Sequence, residues 1–154
     1  VIDIPARRIW MRGVEIQMSA TQLATYIFIL HQSCCTHHGG LVKAGQHHPL
    51  SEKDVQRLGR TYHAICNLFR DTPITDERSY LEDVPNIRGY IARIRTAIAH
   101  HIDEQDIRFY TPQDTSDKSR YYIAIDPTKI TLRLSSGEIP FMDYPLWKTL
   151  ASKH

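Results

Sequence analysis

An α+β fold is predicted for this chain of 154 residues, and three observations predict it. Short apolar alternations open the sequence. Three segments with apolar residues at helical spacing follow, and a stretch rich in aromatic and β-branched residues comes after them. Hydrophobic content of 42% and charged content of 23% fit one globular domain with a single core.

Residues 1 to 18 read as extended chain. Ile2 and Ile4 alternate with polar positions ahead of Pro5, while Ile9 to Met11 and Val14 to Met18 flank a turn signal at Arg12-Gly13. Val14, Ile16 and Met18 share one face by the two-residue period. Ser19 or Thr21 caps the first helix by accepting a bond from a free backbone amide. Leu23, Tyr26, Ile27 and Leu30 form its stripe, and the helix frays near Gln32 to Cys35, ahead of Gly39-Gly40. Residues 36 to 50 read as a loop with four histidines and Pro49.

Ser51 with Asp54 resembles a capping box. The second helix follows to about Arg70, with Val55, Leu58, Tyr62, Ile65 and Phe69 on its core face. Gly59 inside it costs about 1 kcal/mol relative to alanine, the kind of glycine that permits close packing of a neighbouring helix. Residues 71 to 84 form an acidic second loop with Pro73. Pro85 suits the first turn of a third helix. That helix turns Ile87, Tyr90, Ile91, Ile94 and Ile98 inward, runs to about His101 and is ended by Asp103, Glu104 and Asp106. Arg108-Phe-Tyr opens a strand, and Gln113 to Ser119 makes a polar tip. A hairpin then pairs Arg120 to Ile125 with Lys129 to Leu134 about a turn at Asp126-Pro127-Thr128. The tail, with Pro140, Pro145 and Trp147, packs down as irregular chain or a short helix.

Lead-in strands, three helices and a closing hairpin, in that order, are the plan of a winged-helix module, whose usual work is to hold nucleic acid or another protein domain. The expectation is therefore a single winged-helix-like domain over residues 1 to 154, with three main helices, a small N-terminal sheet and a C-terminal β-hairpin. The chain opens at Val1, which reads as a piece of a longer protein. No apolar run approaches the ~20 residues that span a bilayer, and Asp3, Arg7 and Arg8 at the start do not fit a signal peptide. Three cysteines without framework spacing indicate a reducing, cytoplasmic setting.

A formal charge of +2 and a pI near 8.5 permit nucleic-acid binding without arguing for it. The local pattern says more. From Val84 to Ile102 there are three arginines, two histidines and no acid. An exposed helix with cations and no anions meets phosphates and releases counterions, and arginine reads guanine edges in the major groove. Arg88, Arg93 and Arg95 on this helix, with Lys118 and Arg120 on the wing, are the predicted nucleic-acid contacts. Asp114 and Asp117 at the polar tip oppose that role.

Two other chemistries have candidate residues. His31, Cys34, Cys35, His37, His38, His47 and His48 fall within 18 residues. Cys34 with His37 or His38 could make one ligand pair and His47 or His48 the second, but no pair has the Cys-two-residues-Cys spacing usual for zinc, so no metal is assigned. Some helical ribonucleases use an arginine followed closely by a histidine as acid or base. Arg95 with His100 or His101, and Arg57 with His63, satisfy that loose pattern. No phosphate loop, nucleophile elbow or carboxylate pair stands out, so no catalytic residue and no cofactor is assigned. Eight tyrosines and the modest charge keep a protein-interaction or homodimerisation module as the alternative.

The run Val14-Glu-Ile-Gln-Met-Ser-Ala-Thr-Gln-Leu-Ala-Thr-Tyr resembles the stretch that opens the C-terminal part of certain CRISPR-associated CARF proteins, the ring-nuclease-like family of type III systems. Arg88 to Ile98, Phe109-Tyr110 and Arg120-Tyr-Tyr-Ile-Ala-Ile-Asp-Pro-Thr-Lys-Ile resemble that family's closing segment. The likeness covers roughly residues 9 to 134. The same segments resemble the winged-helix output domain of response regulators, apart from the long loops at 33 to 50 and 71 to 84. The resemblance to CARF proteins implies a non-catalytic accessory or output domain in antiviral defence. Its partner would be an upstream CARF-type sensor domain, and no membrane would be involved. The sensing residues belong to that upstream part and have no counterpart in these residues.

Overall fold

Ten consecutive residues of the first helix, Leu23 to Gln32, are buried, so the segment read as a one-sided stripe is a central helix wrapped on all sides. The computed structural model describes residues 1–45, 49–74 and 78–152. In it α1 (Ala20–Cys34) starts at Ser19. The Ser19 side chain accepts from the Gln22 amide at 3.2 Å, and the Ser19 amide donates to Gln22 Oε1 at 3.1 Å. This capping box satisfies two otherwise unpaired groups at the helix start. Burial of the polar residues is matched by bonding. Thr25 meets the Thr21 carbonyl and the Tyr62 hydroxyl, Tyr26 donates to the Tyr110 carbonyl at 2.6 Å, and the Gln32 side chain accepts from Arg57.

Around α1 lie α2 (Glu52–Asn67) and α3 (Tyr80–Ala99), both of which pack on it and on each other. The predicted core faces of all three helices are buried or half-buried, from Leu58, Tyr62, Ile65 and Phe69 to Ile87, Ile91, Ile94 and Ile98. A Cβ on Gly59 would lie 3.3 Å from the Tyr80 Cβ, which is the close helix approach its position predicts.

Two sheets flank the helices. The first has five strands in the order β3-β2-β1-β7-β8: β1 (Ile2–Asp3), β2 (Arg8–Met11), β3 (Val14–Ile16), β7 (Thr131–Leu134) and β8 (Gly137–Pro140). Arg12 and Gly13, with left-handed φ of 51° and 77°, close the β2–β3 hairpin between Met11 and Val14, the geometry favoured for two-residue hairpins. β1 pairs antiparallel with β2 and parallel with β7, joining the two ends of the chain. The second sheet has the order β4-β6-β5, from β4 (Leu41–Val42), β5 (Gln113–Asp114) and β6 (Arg120–Tyr122). A Cβ on Gly40, at φ 141°, would collide with the Tyr121 carbonyl, so a glycine here lets the chain entering β4 lie against β6.

Several expectations are corrected. The hairpin expected between Arg120–Ile125 and Lys129–Leu134 does not form: β6 lies in the three-stranded sheet and β7 in the five-stranded one. Asp126 caps a short 3₁₀ turn, Pro127–Lys129, by accepting from the Thr128 amide, so this segment carries the chain across between sheets. Arg108-Phe-Tyr is helical, in α4 (Glu104–Tyr110). The acids expected to end the third helix supply the start of this fourth one, where negative charge suits the positive end of the dipole. α3 begins at Tyr80 with a Ser79–Glu82 capping box, five residues before Pro85, which sits inside the helix on its exposed face. β4 interrupts the predicted 36–50 loop. The tail forms β8, a 3₁₀ turn and α5 (Pro145–Ala151), whose Trp147 donates to the Phe141 carbonyl at 2.7 Å and stacks on His31. Among the described residues, no helix is long and apolar enough to cross a membrane.

Candidate nucleic-acid interface

The chain after α4 turns back on itself through β5 and β6, and the short β5–β6 hairpin lies beside α3. Its tip is built by hydrogen bonds. The Lys118 amide donates to the Thr115 carbonyl at 2.8 Å, with Lys118 at φ 60°. The Asp117 carboxylate accepts from the Thr115 hydroxyl and from both the amide and the hydroxyl of Ser119, and these bonds hold it well below the usual carboxylate range. Asp117, expected only to oppose a phosphate, is the acceptor that shapes the turn.

The five predicted contacts fall into different settings. Arg93 is exposed and makes no ion pair among the described residues. With Thr96, Ala97, His100, Gln17 and Gln22 it lines a broad open depression of about 780 Å³. Arg88 is exposed and donates to the Ala44 carbonyl just beyond β4. Arg95 is half-exposed: its Nε donates to the Pro112 carbonyl at 3.0 Å, and its Nη2 lies 3.7 Å from Asp114 Oδ1. Lys118 is exposed at the hairpin tip. Arg120 differs from the other four. Successive strand residues face opposite ways, so it points away from the face carrying Tyr121. Its Nη1 donates to Ser119 Oγ, and its buried Nε has no hydrogen-bond partner among the described residues. Desolvation, then the charge of Arg57, hold the His38 imidazole below its ordinary value, with Arg120 and His37 adding and Asp54 opposing.

Arg88 is thus tied to the chain beyond β4 and Arg95 to the base of the hairpin, Lys118 is at its tip, Arg93 stands on another flank of α3, and Arg120 stands apart. The structure adds two residues to the group. Lys43 reaches Asp114 Oδ1 at 2.6 Å, and its Nζ lies 4.5 Å from the centre of the Tyr121 ring. The Arg95 guanidinium carbon lies 5.9 Å from the same centre, so the ring has a cation on each of two contacts. The hydrogen bond from Lys43 holds the Asp114 carboxyl below the usual carboxylate range against desolvation, and the charges of Lys43, Arg95 and Lys118 add to it. Lys43 had no signal in the sequence because its role depends on β4 pairing with β6.

The remaining candidates have structural surroundings. His63 Nε2 lies 2.7 Å from Asp83 Oδ2, both side chains being buried, and Arg78 Nε donates to Asp83 Oδ1 at 2.9 Å. Arg57 is buried and bonded to Gln32, with Asp54 at 3.4 Å, so this Arg–His pair holds helices together. His100 and His101 are exposed at the end of α3. Desolvation pushes the Cys34 thiol up to about 11 and the Cys35 thiol to about 12. Among the described residues, no group of three or more His, Cys, Asp or Glu is placed to hold a metal, and His47 and His48 lie outside those residues. A cleft of about 440 Å³ between the hairpin β2–β3, α4 and the 124–130 segment is lined by Trp10, Tyr26 and Phe109 and touches none of the five predicted cations.

No protein-family model, no curated protein and no solved structure matches this chain, so the functional reading rests on its own residues.

Proposed function

We propose that this is a winged-helix domain that binds nucleic acid through α3 and the β5–β6 wing, and that it serves as a non-catalytic accessory or output domain of a CRISPR-associated protein of type III antiviral defence. One observation carries the first part. The strand between the first and second helices, β4, lies beside the returning strand of the hairpin that follows α3, giving the order β4-β6-β5. In this reading that order is a wing beside α3, whose part from Val84 to Ala99 carries three arginines and no acid, Glu82 and Asp83 lying in its first turn. The CRISPR assignment is supported by the family resemblance of the sequence alone, as is an upstream CARF-type sensor domain as its neighbour.

In this reading the two outward cations, Arg93 and Lys118, touch phosphates directly. Arg88 and Arg95 also tie α3 to the chain around β4 and β5, so they both attract phosphate and set the angle of the wing. Arg120 has the weakest claim of the five, since its side chain faces elsewhere. The test is fluorescence anisotropy with a labelled duplex over a range of salt. An Arg93→Ala/Lys118→Ala variant should bind at least about tenfold more weakly at low salt, with a salt slope shallower by roughly two. Equal affinity and slope in the variant, or no binding by the native chain at low salt, would sink the reading.

A protein-interaction or homodimer module is the second reading. It is favoured by the outer face of α3, where Gly89, Ala92 and Thr96 are all exposed and leave room for another helix to approach. Light scattering over a concentration series separates the two, because a mass that stays monomeric removes the dimer.

A further inference from the structure

We propose that Lys43 and Arg95, gathered about the Tyr121 ring, with Lys118 on the adjoining hairpin tip, form a phosphate-binding site that the Asp114 carboxylate fills until a backbone phosphate of nucleic acid displaces it. The polymer ligand rests on the winged-helix reading; the oxyanion site does not.

The sheet register builds the site. Asp114 on β5 is opposite Tyr121 on β6, and Leu41 on β4 is opposite Tyr121 from the other side, which brings Lys43, two residues further on, to the same ring. Arg95 arrives from α3. Its Nε is committed to the Pro112 carbonyl at 3.0 Å, which fixes the plane of the guanidinium and leaves Nη2 directed at Asp114. A guanidinium held this way loses little freedom when it takes a phosphate oxygen.

One carboxylate oxygen serves both cations on the ring: Asp114 Oδ1 is 2.6 Å from Lys43 Nζ and 3.7 Å from Arg95 Nη2. With Lys118 and Asp117 at the tip and Arg88 at the Ala44 carbonyl next to Lys43, four cations stand with two carboxylates. The surplus is positive and lies on the wing side of α3. A phosphodiester offers the same kind of acceptor oxygens at the same charge as the carboxylate. The Asp114 side chain is 37% exposed. It can therefore swing into water at little cost, since half-exposed ion pairs contribute little.

The consequence is competition. An internal anion weakens capture of single phosphates and favours a polymer, which presents many phosphates at once. Asp114 then lowers nucleic-acid affinity in the native chain, opposite to what its place inside the interface would suggest.

The test begins on the native chain. Inorganic phosphate is titrated at constant ionic strength while NMR follows the Arg95 Nε–H and the Tyr121 ring protons. A saturable shift that chloride does not produce is expected, and Asp114→Asn should tighten it several-fold. No shift, or a shift that Asp114→Asn leaves unchanged, overturns the site. With labelled duplex, Asp114→Asn should bind about five- to tenfold more tightly, with a salt slope steeper by about one. Glu138→Gln makes the same change of charge on the other sheet and frees Arg133 of a partner. It should give no such gain, and equal gains from both variants would reduce the effect to net charge and overturn the proposal. If an Asp114→Asn chain does not fold, the native phosphate titration still decides. Phosphate shifts without duplex binding by either form would keep the anion site and overturn the nucleic-acid reading.

Discussion

Gly59 and Gly89 both interrupt helices, and neighbours decide what each does. Gly59 has the Tyr80 Cβ beside it, whereas a Cβ built on Gly89 would meet nothing within 4 Å. An exposed helical glycine without a neighbour is a simple loss of about 1 kcal/mol against alanine. Gly89→Ala should therefore raise stability by about 0.5–1 kcal/mol in urea denaturation. Gly59→Ala should lose that gain, because the new methyl presses on α3 at 3.3 Å. A loss of stability in Gly89→Ala would mean that the outer face of α3 is already covered. The close approach at Gly59 was legible in the sequence, since a glycine on a helical core face has few other uses. The division of labour among the arginines was not. Arg93 and Arg95 look alike along the chain, but only Arg95 is within reach of Pro112 and Asp114.

Elements are tied to one another by a few buried polar groups. Asp83 on α3 takes His63 of α2 and Arg78 ahead of α3 on its two oxygens. This pin sets the start of α3 against α2, and so the position of the proposed nucleic-acid helix. Removing Asp83 leaves the buried His63 Nε2 without its hydrogen-bond partner, while the half-exposed Arg78 can turn to water, so Asp83→Ala should cost about 1–3 kcal/mol. A urea midpoint within error of the native chain would refute that role. The helices themselves were readable because their signal is local: apolar residues every three or four positions, with serine at the caps of α1, α2 and α3. α4 was misread because Asp103, Glu104 and Asp106 make equally good sense after one helix or at the head of another. The β2–β3 hairpin was readable from its two-residue turn. The pairing of β6 and β7 was not, because alternation shows which residues make a strand and says nothing about its partner.

The whole molecule is closed by the parallel pairing of β1 with β7, Ile2 beside Leu132 and Asp3 beside Arg133. Arg133 Nη1 reaches Asp3 Oδ2 at 3.5 Å across that seam. The first strand of the chain and its last two therefore belong to one sheet, and the core beneath it includes Ile2, Ile9, Ile16, Leu132 and Phe141. Deleting residues 1 to 16 should abolish cooperative thermal unfolding, as followed by circular dichroism, since Leu132 and the neighbouring face of α1 would lose their cover. A sharp melt in the shortened chain would show that the helices and the three-stranded sheet fold alone. By itself the sequence determined the α+β class, the three long helices with their core faces, and the caps of the first two, because these follow from contacts a few residues apart. The tertiary structure alone decided which strands pair, that α1 is buried on every side, and that Lys43, Arg95 and Asp114 meet over Tyr121. Those contacts join residues as many as 130 positions apart, and no local pattern encodes which distant segments will come together.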